Sequence, residues 1–223
     1  MDITIVPDPV SLAVAAADLV ESQLTSSDQT LIGLAGGSTP RPTHDELARR
    51  SVDWSSAAAW IPDERWVSPD DDASNQRMAR ETLTERVGLR LLAPNTSGND
   101  PEAAAMAYGD AIAPLLMDEA TRSITMLGIG TDGHTASLFP GTEGISDTST
   151  SYIANYVPQL ETWRITATFG LLGASDIVVF LVSGESKAEI VAEIAAGVDY
   201  PASRVTARER VLWILDSAAA HQL

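Results

Sequence analysis

Short, strongly apolar runs separated by stretches of helical periodicity constrain this chain more than any other feature. Leu31 to Leu34, Ile124 to Leu127, Ile177 to Val182 and Val211 to Leu215 are each only four to six residues long. Runs of that length and character read as strands buried on both faces. Ile3 to Val6 and Trp60 to Ile61 are weaker strand candidates, and Tyr152 to Val157 and Trp163 to Phe169 are β-rich. Between them, helical spacing appears over Val10 to Leu24, from the first glycine-rich turn to about Arg50, over Ser74 to Val87 with Ser74 as cap, over Pro101 to Glu119 and over Glu185 to Ala196. Pro114 is expected to kink or split its helix. Ser217 onward reads as a short terminal helix. Strands alternating with helices predict an α/β fold: a three-layer αβα sandwich with a mainly parallel sheet and helices on both faces. Residues 1–223 read as a single domain, since no repeat or Pro/Gly/Ser linker divides them.

The chain has no cysteine, which excludes disulfides, thiolate metal sites and a cysteine nucleophile. MDITIVPDPV has no basic stretch followed by an apolar core, so no secretory leader is expected, and no apolar run reaches the roughly 18 residues of a membrane span. The expectation is a cytoplasmic protein. Its formal net charge is −17, which disfavours nucleic acid and anionic lipid as partners. An anionic substrate would need positive charge gathered locally. Lys187 is the only lysine, and the other thirteen basic residues are arginines.

Three loops follow apolar strands, where open parallel sheets bind ligands. The first is Gly36-Gly37-Ser38-Thr39-Pro40. Its glycines let backbone amides approach an anion at the start of the next helix, and Ser38 and Thr39 add hydroxyls. The glycine spacing is neither a Walker loop nor a dinucleotide fingerprint. The second is Pro62-Asp63-Glu64-Arg65-Trp66, where Arg65 is a candidate for an anion or a developing oxyanion and Asp63 for orienting a neighbour. The third, GIGTDGHTASLFPG, holds His134 two residues after Asp132. A histidine in such a loop can take a proton near neutral pH. The other two histidines read as bland: His44 on an exposed helix face, His221 in the tail. One histidine with scattered carboxylates gives no metal-ligand spacing.

In order and spacing, LAGGSTPRP, IPDERWVSPDDDASN, LGIGTDGHTASLFPG, WRITATF, VSGESKAEI and VLWILDSAAA resemble the family that joins 6-phosphogluconolactonases with glucosamine-6-phosphate isomerase/deaminases. The resemblance runs nearly end to end. It implies a Rossmann-like fold of the sugar-phosphate isomerase type. The lactonase branch fits better, because Phe139 stands where isomerases resemble D-G-H-x-A-F-N-E with a glutamate, and Arg65 where they usually carry an aromatic residue. By resemblance, Arg164 and Lys187 hold a substrate phosphate together with Gly36, Gly37, Ser38 and Thr39. The implied reaction is hydrolysis of 6-phospho-D-glucono-1,5-lactone. His134 would be general base toward water, Asp132 or Asp63 would orient it, and Arg65 would stabilise developing charge. No metal or organic cofactor is implied, and a monomer is favoured. A serine triad through Ser137 lacks the nucleophile-elbow glycine pattern. The other classes are an amino-sugar-phosphate isomerase/deaminase and a non-catalytic sugar-phosphate-binding protein.

Overall fold

A computed structural model describes residues 1–223. Seven strands form one wholly parallel sheet: β1 (Asp2–Val6), β2 (Thr30–Gly33), β3 (Ala57–Trp60), β5 (Arg90–Leu92), β6 (Arg122–Leu127), β9 (Ile177–Val182) and β10 (Arg210–Asp216). Their order across the sheet is β1-β10-β9-β6-β2-β3-β5. A second, antiparallel sheet has the order β4-β8-β7, from β4 (Asp63–Arg65), β7 (Tyr152–Val157) and β8 (Thr162–Ala167). The helices are α1 (Pro9–Ser26), α2 (Pro40–Leu47), α3 (Asn75–Ala79), α4 (Glu85–Val87), α5 (Pro101–Met117), α6 (Phe169–Gly173) and α7 (Ala188–Ala195).

Strand alternation splits the core in two. On β9, Ile177, Val179 and Leu181 join Leu12, Ala16 and Val20 of α1 on one face. Val178, Phe180 and Val182 join Ile112 of α5 and Val191 of α7 on the other. All six β9 side chains are buried, as a strand covered on both faces requires. Burying each such side chain is worth about 1.5–3 kcal/mol, so this strand anchors both layers.

Chain direction across the sheet fixes where a ligand can sit. From β2 the chain moves outward through β3 to β5, then returns to β6 and proceeds outward the other way through β9 to β10. The order reverses between β2 and β6, and the crevice outside their carboxyl ends is where such sheets take ligands. Because β9, β6 and β2 are consecutive neighbours, the loops after all three meet there.

The small sheet is pinned to this edge by two tyrosines. Tyr108 and Tyr152 meet edge to face, with ring centroids 4.8 Å apart. Between them they satisfy the backbone of Ile61: its N–H donates to Tyr108 Oη at 2.9 Å, and its carbonyl accepts from Tyr152 Oη at 3.1 Å. Ile61 leads directly into β4.

Several sequence expectations are corrected. The polar loop after Pro62 contains strand β4, held by pairing with β8 rather than by apolar character. The short strand β5 was not anticipated. Phe169 starts a helix instead of ending a strand. Ser74 does cap its helix, accepting from Arg77 N, but the helix widens into a π turn over Arg80–Thr84 before α4. Pro114 does not split α5: it lies on the exposed face of the helix, as does Asp110 four residues earlier. The residues after Ser217 form turns, with Asp216 accepting from Ala219 N, and no helix. His44 is fully buried, because it shares the inward face of α2 with Pro40, Thr43 and Leu47.

Candidate active site

A pocket of about 560 Å³ lies at the predicted edge, walled by all three loops and by Arg164 and Lys187. Its central feature is a dyad. Oδ1 of Asp132 accepts from the His134 backbone N–H at 3.1 Å and lies 2.6 Å from its ring Nδ1. A carboxylate only accepts, so the proton sits on Nδ1, and Nε2 has no partner in the protein. Burial pushes the Asp132 carboxyl up, but the His134 ring and backbone outweigh it and hold the group below the usual carboxylate range. Of the two aspartates, Asp132 is the one that bonds the histidine.

Local backbone explains how the dyad forms. A Cβ at Gly130 would overlap His134 Nδ1 and Asp132 Oδ1, so the loop passes here only as glycine. After His134 the chain folds into a tight turn, with Leu138 N donating to Thr135 O at 2.9 Å. Ala136 takes the left-handed conformation at φ 47° in this turn, an uncommon state for a residue with a Cβ. Pairing of Thr135 with Leu138 brings the flanking residues together, and the Phe139 ring lies on the His134 imidazole with centroids 4.0 Å apart.

Ser137, in the same turn, donates to Asp63 Oδ2 at 2.6 Å and makes no bond to His134. The serine-triad alternative loses its geometric basis. Asp63 is thereby tied to the dyad loop and lines the pocket beside it.

The cations come from the small sheet and from the start of α7. Arg65 on β4 and Arg164 on β8 stand directly opposite in register. Burial lowers the Arg164 pKa, and the neighbouring Arg65 lowers it further. Its Nε is buried without a hydrogen-bond partner. Arg65 is held by donating to Ala73 O. Lys187 follows Gly184, whose amide donates to the Asp216 carboxylate, and burial lowers the Lys187 pKa as well. None of these three cations has an ion-pair partner, whereas eight arginines elsewhere do: Arg49, Arg50, Arg77, Arg80, Arg86, Arg122, Arg204 and Arg208. Two guanidiniums and an ammonium line one cavity without ion-pair partners, the kind of donor set that can hold an anion.

Beneath them lies Glu64, fully buried. It accepts from the amides of Arg65, Asn75 and Gln76 and from Ser74 Oγ, at 2.7 to 3.1 Å. Burial raises its pKa, against the lowering effect of those amides. The carboxylate thus ties β4 to the start of α3.

Of the predicted residues, Gly36, Gly37, Asp63, Arg65, Asp132, His134, Arg164 and Lys187 share the pocket. Ser38 and Thr39 do not. Gly37, at φ 106°, turns the chain into α2, and their side chains line a separate cavity of about 220 Å³ with Pro9, Leu12, Pro42 and Ser183. Sequence reasoning missed Asn75, whose carboxamide fills the space a Cβ on Gly36 would occupy and donates to Asp63 O at 2.7 Å. Its sequence signals are its place just after the capping Ser74 and its position at the end of the IPDERWVSPDDDASN segment. Leu160, at the tip between β7 and β8, was missed too.

Comparison with known proteins identifies the family and the fold. The model of the family described as glucosamine-6-phosphate isomerases/6-phosphogluconolactonase matches residues 7–213. A 6-phosphogluconolactonase of Nostoc is 30% identical, covering 99% of this chain and 98% of that protein. One from Streptomyces coelicolor is 36% identical over 79% of this chain and 74% of its own length. The crystal structure of 6-phosphogluconolactonase from Thermotoga maritima superposes with a TM-score of 0.85 at 26% identity, covering 96% of this chain and 99% of that one. With the matched segment running from the residue after β1 into β10, and with the same fold throughout, the chain belongs to the glucosamine-6-phosphate isomerase/6-phosphogluconolactonase family.

Proposed function

We propose that the protein hydrolyses 6-phospho-D-glucono-1,5-lactone to 6-phospho-D-gluconate, the lactone step of the oxidative pentose phosphate pathway. One observation carries the reading: an oriented Asp132–His134 dyad shares a single pocket with three cations that lack ion-pair partners. The phosphate is taken by Arg164 and Lys187 with the backbone of Gly36 and Gly37, while Ser38 and Thr39 lie outside the pocket. This leaves the lactone carbonyl at the dyad.

Nε2 of His134 removes a proton from water as the oxygen attacks C1. Asp132 stabilises the imidazolium that forms, and Arg65 faces the charge growing on the carbonyl oxygen. When the intermediate collapses, the C1–O bond of the ring breaks, and the imidazolium returns its proton to the departing ring oxygen. The product carboxylic acid then releases one proton to solvent. Asp63, engaged by Ser137, serves as wall and hydroxyl acceptor. No step calls for a metal or organic cofactor. The protein acts as one domain, as a monomer, in the cytoplasm.

The test is proton release from freshly generated lactone, read against the spontaneous rate. A rate well above buffer is expected, unchanged by chelator. A rate equal to buffer would overturn the reading, and ammonia release from glucosamine 6-phosphate would move the protein to the other branch of its family.

A further inference from the structure

We infer that Phe139 is the positioning residue of His134, fixing the plane of its imidazole so that Nε2 alone is presented to the pocket. The inference rests on the proposed role of His134. Three contacts define the ring. Asp132 holds one end through Nδ1, at 2.6 Å. A hydrogen bond at one ring atom fixes a point but leaves rotation about the line through it. Phe139 removes that freedom: its ring lies over the imidazole with centroids 4.0 Å apart and planes 25° from parallel. Gly130 lies so close against the dyad that no side chain fits between. The imidazole thus sits in a slot, with a carboxylate at one end and the pocket at the other.

The backbone is shaped to produce this stack. Residues 134 and 139 flank the bridged pair Thr135 and Leu138, so the turn delivers them to the same place. Leu138 is fully buried and anchors the turn in the core, and Ala136 bears the left-handed conformation that closes it. Phe139 is itself buried while it lines the pocket. A planar ring suits the task. A branched aliphatic side chain of similar bulk has no flat face to match the imidazole.

Turnover is the quantity at stake, because misplacing a reacting group by about 1 Å costs on the order of 100-fold in rate. Phe139→Leu is expected to lower kcat about 10- to 100-fold with KM within about 3-fold, and Phe139→Tyr to retain most of kcat. A readout independent of activity is the 15N signature of the His134 ring at a pH where it is neutral. The native protein is expected to show the single Nδ1–H tautomer, and Phe139→Leu an exchange-averaged pattern. Thermal melting identifies a variant that fails to fold, and Phe139→Met then serves as the non-planar replacement. Native kcat and an unchanged ring signature in a folded, non-planar variant would overturn the inference. If His134→Ala kept native turnover, the role of His134 would fall instead, which separates the two failures.

Discussion

The Ser137 hydroxyl donates to Oδ2 of Asp63 at 2.6 Å, joining two loops 74 positions apart in the chain. The serine amide also donates to Thr166 Oγ1, and its carbonyl accepts from Asn155. With its proton committed to Asp63, this serine braces the pocket wall and leaves His134 free to act on water. Ser137→Ala is expected to reduce kcat less than about 10-fold, whereas loss of a nucleophilic serine costs on the order of 10⁶. Steady-state kinetics decide this, and mass spectrometry of the quenched enzyme during turnover is expected to show no acyl adduct.

Gly130→Ala tests how the dyad is made. The added methyl would occupy the space of His134 Nδ1 and Asp132 Oδ1. The ring and the carboxylate have to shift, which disturbs the 2.6 Å contact. Turnover is expected to fall by a factor on the order of 10² to 10⁴, the scale for losing a general base. Near-native turnover in Gly130→Ala would show that the dyad geometry is not required.

Lys187 reports on phosphate recognition. A charge-assisted contact is worth about 1.5–3 kcal/mol, so Lys187→Ala should raise KM for the phosphorylated lactone about 10- to 150-fold. Gluconolactone without the phosphate should be hydrolysed nearly as well by the variant as by the native enzyme. Equal losses on both substrates would assign Lys187 to the fold.

His44 gives the protein a pH-dependent stability. Burial lowers its pKa from 6.5 to about 4, opposed by Asp45 and reinforced by Arg41. Its Nδ1 lies 3.2 Å from Thr82 Oγ1, and its Nε2 has no partner. The folded state holds the ring neutral while the unfolded chain protonates it. Stability is therefore complete above about pH 6.5 and is lost as the pH falls toward 4, by an amount on the order of 3 kcal/mol. Denaturant titrations from pH 7 to 4.5 should show this slope, and His44→Gln should flatten it. An equal slope in the variant would place the proton uptake elsewhere.

The sequence was most legible where apolar spacing is regular. The central strands and α1 follow from side-chain periodicity alone, and the three loops follow from their places after strands. What stayed hidden depends on packing across the chain. His44 occupies an apolar-spaced position of α2, and the 40, 43, 44, 47 spacing was a signal that its polarity masked. Strand β4 is made of Asp, Glu and Arg, and only its partner β8 makes it a strand. Asn75 matters because it packs on Gly36, a contact between the start of α3 and a distant loop that local sequence does not encode. The Arg65–Arg164 pairing likewise exists only as a register between strands.

The edge of the large sheet has a consequence for biosynthesis. β1 pairs in parallel with β10, Asp2 opposite Leu212, so the first strand made finds its neighbour among the last. Such distant pairing raises contact order and slows folding. During translation β2, β6 and β9 emerge before β10, so the centre of the sheet and its three loops can assemble while β1 still waits. Until β10 emerges, both β1 and the outer side of β9 are open strand edges, each a template for pairing with another chain. A nascent chain stalled shortly before residue 210 would thus carry a nearly complete pocket on a sheet prone to aggregate.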